Sequence, residues 1–246
     1  MAQHAPPEET LVAYAAGKLA EPLALLVAAH ASLSPDSRRE VRLLEEVGGA
    51  MLETLPPAEM EAGALDSVLD QLDADDLEGG EAVACGGAKT NEEMHRGQAQ
   101  ARETEARKVD GGGRIEAETG DVPTPLRPYV GTSFDALPWR DRGSSVAEYR
   151  FLDGRSGYRT RLMRIRAGAK VPSHTHEGCE YTLVLKGGFS DAQGEYSAGD
   201  LAVADAEVTH QPVAWPEQDC ICLTVLDAPV RMTGPVGRVL NFFVDF

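Results

Sequence analysis

The chain has little of what would make it a disulfide scaffold, a membrane protein or a nucleic-acid binder. Its 246 residues include only four cysteines, Cys85, Cys179, Cys220 and Cys222, too few and too scattered to read as a disulfide framework. No apolar run reaches the roughly 18 residues that a bilayer crossing needs. Nor does a basic start with an apolar core of signal-peptide length stand near the N-terminus. Both absences lead to the expectation of a cytoplasmic protein with no membrane partner. Positive charge is scarce: 23 Lys and Arg against 40 Asp and Glu give a net charge of −17 and a pI near 4.7. A basic face for phosphate contacts is therefore not expected, whereas a basic protein partner would suit this charge. Aromatic residues are missing altogether between Asp75 and Val122.

That gap separates two unlike halves. Up to about Leu72 the pattern is helical. Pro6-Pro7 followed by Glu8-Glu9 suits a first turn ahead of Leu11, Val12 and Tyr14, and Gly17 suits a stop. Pro22 opens PLALLVAAHASL, so uniformly apolar that burial is expected. Ser34, Pro35 and Asp36 form an N-cap cluster ahead of Val41, Leu44, Val47, Met51 and Leu52 at helical spacing. After Pro56-Pro57, AEMEAGALDSVLDQL reads as a fourth amphipathic helix. The expectation is a small four-helix unit over residues 1–74, strongly acidic with 13 Asp and Glu against 4 Lys and Arg. Residues 75–122, rich in Gly and charge, cannot offset their ordering entropy by burial and read as a flexible linker carrying Cys85 and His95. From residue 123 to 246, short alternating or apolar runs (AEYRFLDG, YRTRLMRIRAG, EYTLVLKGGF, LAVADAEV, CICLTVLDAPV, RVLNFFVDF) separated by Gly, Asp and Pro predict an all-β sandwich or barrel.

Within the β half, VPSHTHEGCE concentrates metal ligands. Gly168 is followed after five residues by His174, then His176, Glu180 and, after six intervening residues, Gly187; His210 lies eleven positions beyond Gly199. His174 and His176, two apart on an extended segment, share one face. Three imidazoles and one carboxylate suit Zn, Fe, Mn, Ni or Cu. Glu177 is expected in the turn, exposed or behind a ligand, Cys179 in packing on the opposite face, and Cys220 and Cys222 in the core.

The spacing in GAKVPSHTHEGCEYTLVLKG resembles the cupin motif G-x5-H-x-H-x3,4-E-x6-G, whose second part carries the last histidine after a G-x5-P-x-G turn. Here Asp205 and Glu207 occupy the Pro and Gly positions. The resemblance implies a cupin β-barrel (jelly roll) with His174, His176, Glu180 and His210 as ligands of one divalent metal, zinc first, with Fe, Mn or Ni as alternatives. The helical text from Leu11 to Glu53 in turn resembles the anti-sigma domain of ChrR-type anti-sigma factors, which join such a domain to a cupin. The combined fold class is thus a multidomain α-then-β chain: helical bundle 1–74, linker 75–122, cupin 123–246. In that family an early histidine and an H-x3-C-x2-C motif hold zinc. The corresponding positions are His4, His30, Ser34 and Ser37, and without thiolates the expected site is vestigial and zinc-free, with Ser34 as a helix cap. The resemblance implies a cytoplasmic anti-sigma factor. It would hold an extracytoplasmic-function sigma factor, with the cupin as sensor of an oxidative or small-molecule signal. The alternatives are a metal-dependent cupin dioxygenase and a non-catalytic small-molecule-binding cupin; no general base separate from the ligands is evident, which disfavours the enzyme.

Overall fold

A computed structural model describes residues 4–77, 120–152 and 157–232. Most of the expected linker, with Cys85 and His95, and the RVLNFFVDF run lie outside the described residues. The chain divides into two compact units, Met1–Thr54 together with Glu118–Phe246, and Leu55–Ala117. Among the described residues no helix is long and apolar enough to cross a membrane.

The larger unit opens with three helices. Helix α1, Glu8–Ala15, begins after Pro7 with two acidic residues in its first turn, where the exposed N–H groups favour negative charge. It ends before Gly17, whose φ of +64° continues no helix. Helix α2, Glu21–Leu33, has Pro22 in its first turn, and α3, Pro35–Glu53, is capped by the Ser34 hydroxyl accepting from the Ser37 N–H. The fourth predicted helix forms as α4, Ala64–Leu77, in the smaller unit.

The uniform apolarity of α2 follows from its having two packed sides. On one, Val27 joins Leu11 of α1 and Val41 of α3 in a small core. On the other, Leu23, Leu25, Leu26 and Ala29 enter the main core together with Leu162, Leu183 and Leu223 of the β half. An ordinary surface helix needs one apolar stripe; this one serves two neighbours. Helix α3 uses only its first half in this way. Val41 is buried, but Leu43, Val47, Met51 and Leu52 are 59%, 51%, 66% and 68% exposed, so the expected packing stripe runs out into solvent.

The chain re-enters through short turns at Thr124–Leu126 and Phe134–Ala136 flanking α5, Arg127–Val130. These bury Val122, Leu126, Val130 and Phe134 beside α2. Among the described residues eleven strands follow: β1 Arg140–Asp141, β2 Val146–Arg150, β3 Arg159–Ile165, β4 His174–His176, β5 Glu180–Lys186, β6 Gly188–Ser190, β7 Glu195–Ser197, β8 Leu201–Ala204, β9 Val213–Ala214, β10 Cys220–Leu226 and β11 Val230–Met232. They form antiparallel sheets in the orders β1-β2-β3-β10-β5-β8, β11-β4 and β7-β6-β9. The cupin fold is thus a sandwich of sheets that stay open rather than one closed barrel. Central strand β10 is buried at every residue: Ile221, Leu223 and Val225 face the core that includes α2, while Cys220 and Cys222 face the interior of the sandwich. A strand covered on both sides reads as continuous apolar text.

Both glycines of the metal motif earn their places by conformation. Gly168 and Gly187 have φ of +69° and +71°, and a Cβ on Gly187 would lie 2.5 Å from the Asp219 carbonyl oxygen. At the Asp205 and Glu207 departure, β8 stops at Ala204, shorter than the predicted run. There the Asp205 carboxylate accepts from the Glu207 N–H and its carbonyl from the Val208 N–H, at 2.9 and 3.1 Å. An aspartate-built turn therefore does the work of Pro and Gly.

Candidate metal centre

Strand β4 presents His174 and His176 inward with Thr175 between them less buried. Backbone pairing brings in His210: its N–H and carbonyl bond the carbonyl and N–H of His174 at 3.0 and 3.1 Å. Glu180 is the first residue of β5. All four side chains are buried, and their ligand atoms lie within 4.8 Å of one another. His210 Nε2 is 3.0 Å from His174 Nε2 and 3.2 Å from His176 Nε2. Glu180 Oε2 is 3.2 Å from His176 Nε2 and 3.9 Å from His174 Nε2. Ligand atoms around a tetrahedral zinc at its usual bond lengths would be separated by roughly 3.3 Å, so the cluster has the right dimensions.

Outer contacts turn the lone pairs inward. His174 Nδ1–H donates to the Pro172 carbonyl at 2.8 Å and His210 Nδ1–H to the Asp191 carboxylate at 3.0 Å, leaving each Nε2 as the acceptor. Thr182 Oγ1–H donates to Glu180 Oε1 at 2.8 Å, freeing Oε2 for the centre. Burial pushes the pKa values of His174 and His176 down despite the nearby Glu180 carboxylate. For Glu180 burial acts upward, but His176, His174 and the Arg161 guanidinium together hold its carboxyl below the usual range. Neutral imidazoles and an ionised carboxylate are the protonation states that bind a divalent cation. The donor set fits a metal.

Spacing in the sequence points to these four residues as candidate ligands, and the structure brings the four together. It could not point to Asp191, which lies 19 residues from His210 and is positioned by the β6–β7 turn. Thr182 was within reach, since residues two apart on a strand share a face. Glu177 is exposed. Cys179 is half-buried rather than in the packed core, because its N–H is drawn to the Asp227 carboxylate at the strand end. Cys220 and Cys222 are buried with sulfurs 3.4 Å apart.

The family description ChrR Cupin-like domain fits residues 129–229. A protein named anti-sigma-E factor ChrR, from Cereibacter sphaeroides, is 34% identical over 241 residues, spanning 98% of this chain and 97% of its own length. The chain belongs to the ChrR family of anti-sigma factors. It also resembles a chain in the crystal structure of Rhodobacter sphaeroides SigE in complex with the anti-sigma ChrR. The TM-score is 0.70 at 32% identity, covering 92% of this chain and 100% of that one.

The ChrR-type zinc motif of the helical part is altered here in a way the structure accommodates. His30, Ser34 and Ser37 are buried together. His30 Nε2 lies 2.9 Å from Ser37 Oγ, and the Ser34 hydroxyl donates to Ser37 Oγ at 3.3 Å. These hydroxyls bond one another, and with no thiolate the donor set does not fit structural zinc. The His4 ring is turned elsewhere, against Tyr196 at 4.7 Å. Its backbone N–H bonds the Asp200 carboxylate and its carbonyl the Leu201 N–H, so His4 covers the free edge of β8.

Burial lowers the pKa of His30, with the Gly199 backbone and Asp200 acting the other way. A histidine depressed in the folded state takes up a proton later than in the unfolded chain. Its contribution therefore shrinks stability as pH falls through about 6.5, by at most about 1.4 kcal/mol per pH unit. Urea unfolding at pH 7.5 and 5.5 checks this: the loss at pH 5.5 is expected to be smaller in His30→Gln, whose amide can still meet Ser37.

Proposed function

We propose that residues 1–74 of this chain sequester an extracytoplasmic-function sigma factor in the cytoplasm. In this reading the segment 75–122 is a tether and the cupin, 123–246, senses the signal that ends sequestration. The carrying observation is the row Leu43, Val47 and Met51, one face of α3 at i, i+4, i+8 spacing and more than half exposed. Separately, α4 exposes Leu65, Val68 and Leu69. Large exposed apolar faces are costly unless a partner covers them. The relative with SigE in its complex identifies the kind of partner, and the acidity of residues 1–74 suits the basic surface of a DNA-binding sigma factor.

The cupin centre is assigned one divalent cation, zinc first, with Fe, Mn or Ni as alternatives, held by His174, His176, Glu180 and His210. When bound, the cation supplies the positive charge that draws these lone pairs together. Because α2 packs directly against the sheet that carries β5 and β10, a change in the cupin can reach the helices through one shared core. An oxidative or small-molecule signal releases the sigma factor only by favouring the released state; moving a 99:1 balance to 1:99 takes about 5.5 kcal/mol.

Co-expression of the full chain with each sigma factor of its own genome tests the proposal. A stoichiometric complex of about 1:1 with one of them, dissociated by oxidant treatment, is expected. A folded, metal-loaded chain that captures none, yet consumes oxygen with a small-molecule substrate, would place it among cupin enzymes instead.

A further inference from the structure

A cavity of about 130 Å³ is lined in part by three of the candidate ligands, His174, Glu180 and His210. The same lining carries a buried guanidinium, that of Arg161, for which the carboxylate of Glu180 is one charge partner. Arg161 is only 8% exposed. Its Nε donates to Thr224 Oγ1 at 3.3 Å and its Nη1 to Glu148 Oε2 at 3.4 Å. Both contacts are long for a guanidinium, and they use two of its five N–H donors. Glu148 is already engaged more closely by others: its Oε1 accepts from Arg142 at 2.5 Å and from Arg150 at 2.7 Å. Arg161 thus holds Glu148 less closely than Arg142 and Arg150 do, with Glu180 as its other charge partner, and a buried guanidinium is costly unless its donors are met.

Charge points the same way. Arg142, Arg150 and Arg161 are balanced by Glu148, Glu180 and Asp191, the carboxylates around the cavity and behind His210. A divalent cation at the centre then leaves an excess of two positive charges. The rest of the lining is mostly apolar, including Met163, Ile165, Phe189 and Val230.

Building on the assignment of a metal to this centre, we infer that the cavity binds a small organic carboxylate, its carboxylate on Arg161 and its apolar body against the Met163, Ile165 and Phe189 wall. A dry cavity of 150 Å³ holds a benzene, so the ligand has about six to nine non-hydrogen atoms. An inorganic anion would leave the apolar wall unfilled, and a neutral molecule would leave Arg161 unmatched. Because β3, with Arg161, pairs with β10, and β10 packs its outer face in the core shared with α2, occupancy of this cavity is placed to bias the helices.

The test is calorimetric titration of the full chain, zinc-loaded, with metal content counted on the same sample. The probes are benzoate, its neutral counterpart benzamide, and inorganic phosphate. Benzoate is expected to bind one to one, at least about tenfold tighter than either of the others, as the loss of a charge-assisted contact predicts. Arg161→Met is expected to erase that preference while Arg142 and Arg150 still satisfy Glu148. If that variant does not fold, Ala202→Leu, which fills the cavity without touching its charges, is expected to abolish the binding. Benzoate binding no tighter than benzamide, or unchanged in either folded variant, overturns the inference. A chain that takes up no zinc sinks the metal assignment separately, and benzoate titration of that same sample still decides whether Arg161 selects a carboxylate.

Discussion

Replacing His176 by alanine is expected to lower the affinity for divalent metal by more than about 100-fold. His176 is buried, and its Nε2 is within 3.2 Å of both Glu180 Oε2 and His210 Nε2, so its removal opens one full corner of the donor set. Losing merely an outer partner of a ligand typically costs 10–100-fold, which sets the lower bound for losing the ligand itself. Asp191→Asn provides the internal comparison. It keeps the shape behind His210 but removes the carboxylate that fixes its tautomer, so a loss within that 10–100-fold range is expected. Competition against a chelator of known affinity measures both. Equal affinity in the parent and His176→Ala would show that the cluster is not a metal site. The order parent, Asp191→Asn, His176→Ala would establish both the ligand and its support.

The second large effect is expected on the helices. Leu43→Asp combined with Met51→Asp should weaken sigma-factor binding by on the order of 100-fold or more, since buried apolar anchors of an interface each cost 2 kcal/mol or more when lost. Both side chains are more than half exposed, and substitutions at such positions shift stability by only about 0.5 kcal/mol. The double variant should therefore unfold in urea near the parent's midpoint. Val41→Asp is the contrasting case: Val41 sits in the core with Leu11 and Val27, and its loss should unfold the helices along with the binding. Undiminished binding by the double variant would remove α3 as the sequestering face.

Much of the centre was legible because its spacing is local. His174 and His176 share a strand face, Glu180 follows one turn later, and Gly168 and Gly187, both with positive φ, bracket them. The helical half was legible in its boundaries: Pro7, Pro22, and Ser34 with Pro35 each stand where a helix begins. Pattern alone does not separate Leu25, Leu26 and Val27 from Leu43 as contacts for a partner. All four occupy helical positions with apolar neighbours, and only packing distinguishes a covered side from a bare one. The structure buries the first three and exposes Leu43.

Local pattern is enough to read a helical half followed by a β half, four candidate metal ligands at cupin spacing, and two serines at the family's thiolate positions. Only the folded arrangement shows that α2 joins the helices to the sheet in one core, that Asp191 supports His210, and that Arg161 lines the same cavity as three of the candidate ligands. The reason is the range over which each signal acts. Periods of two and 3.6 residues assign a side chain to a face of its own element. Which other element meets that face depends on strand pairings between residues as far apart as Arg161 and Thr224, and no local spacing encodes them.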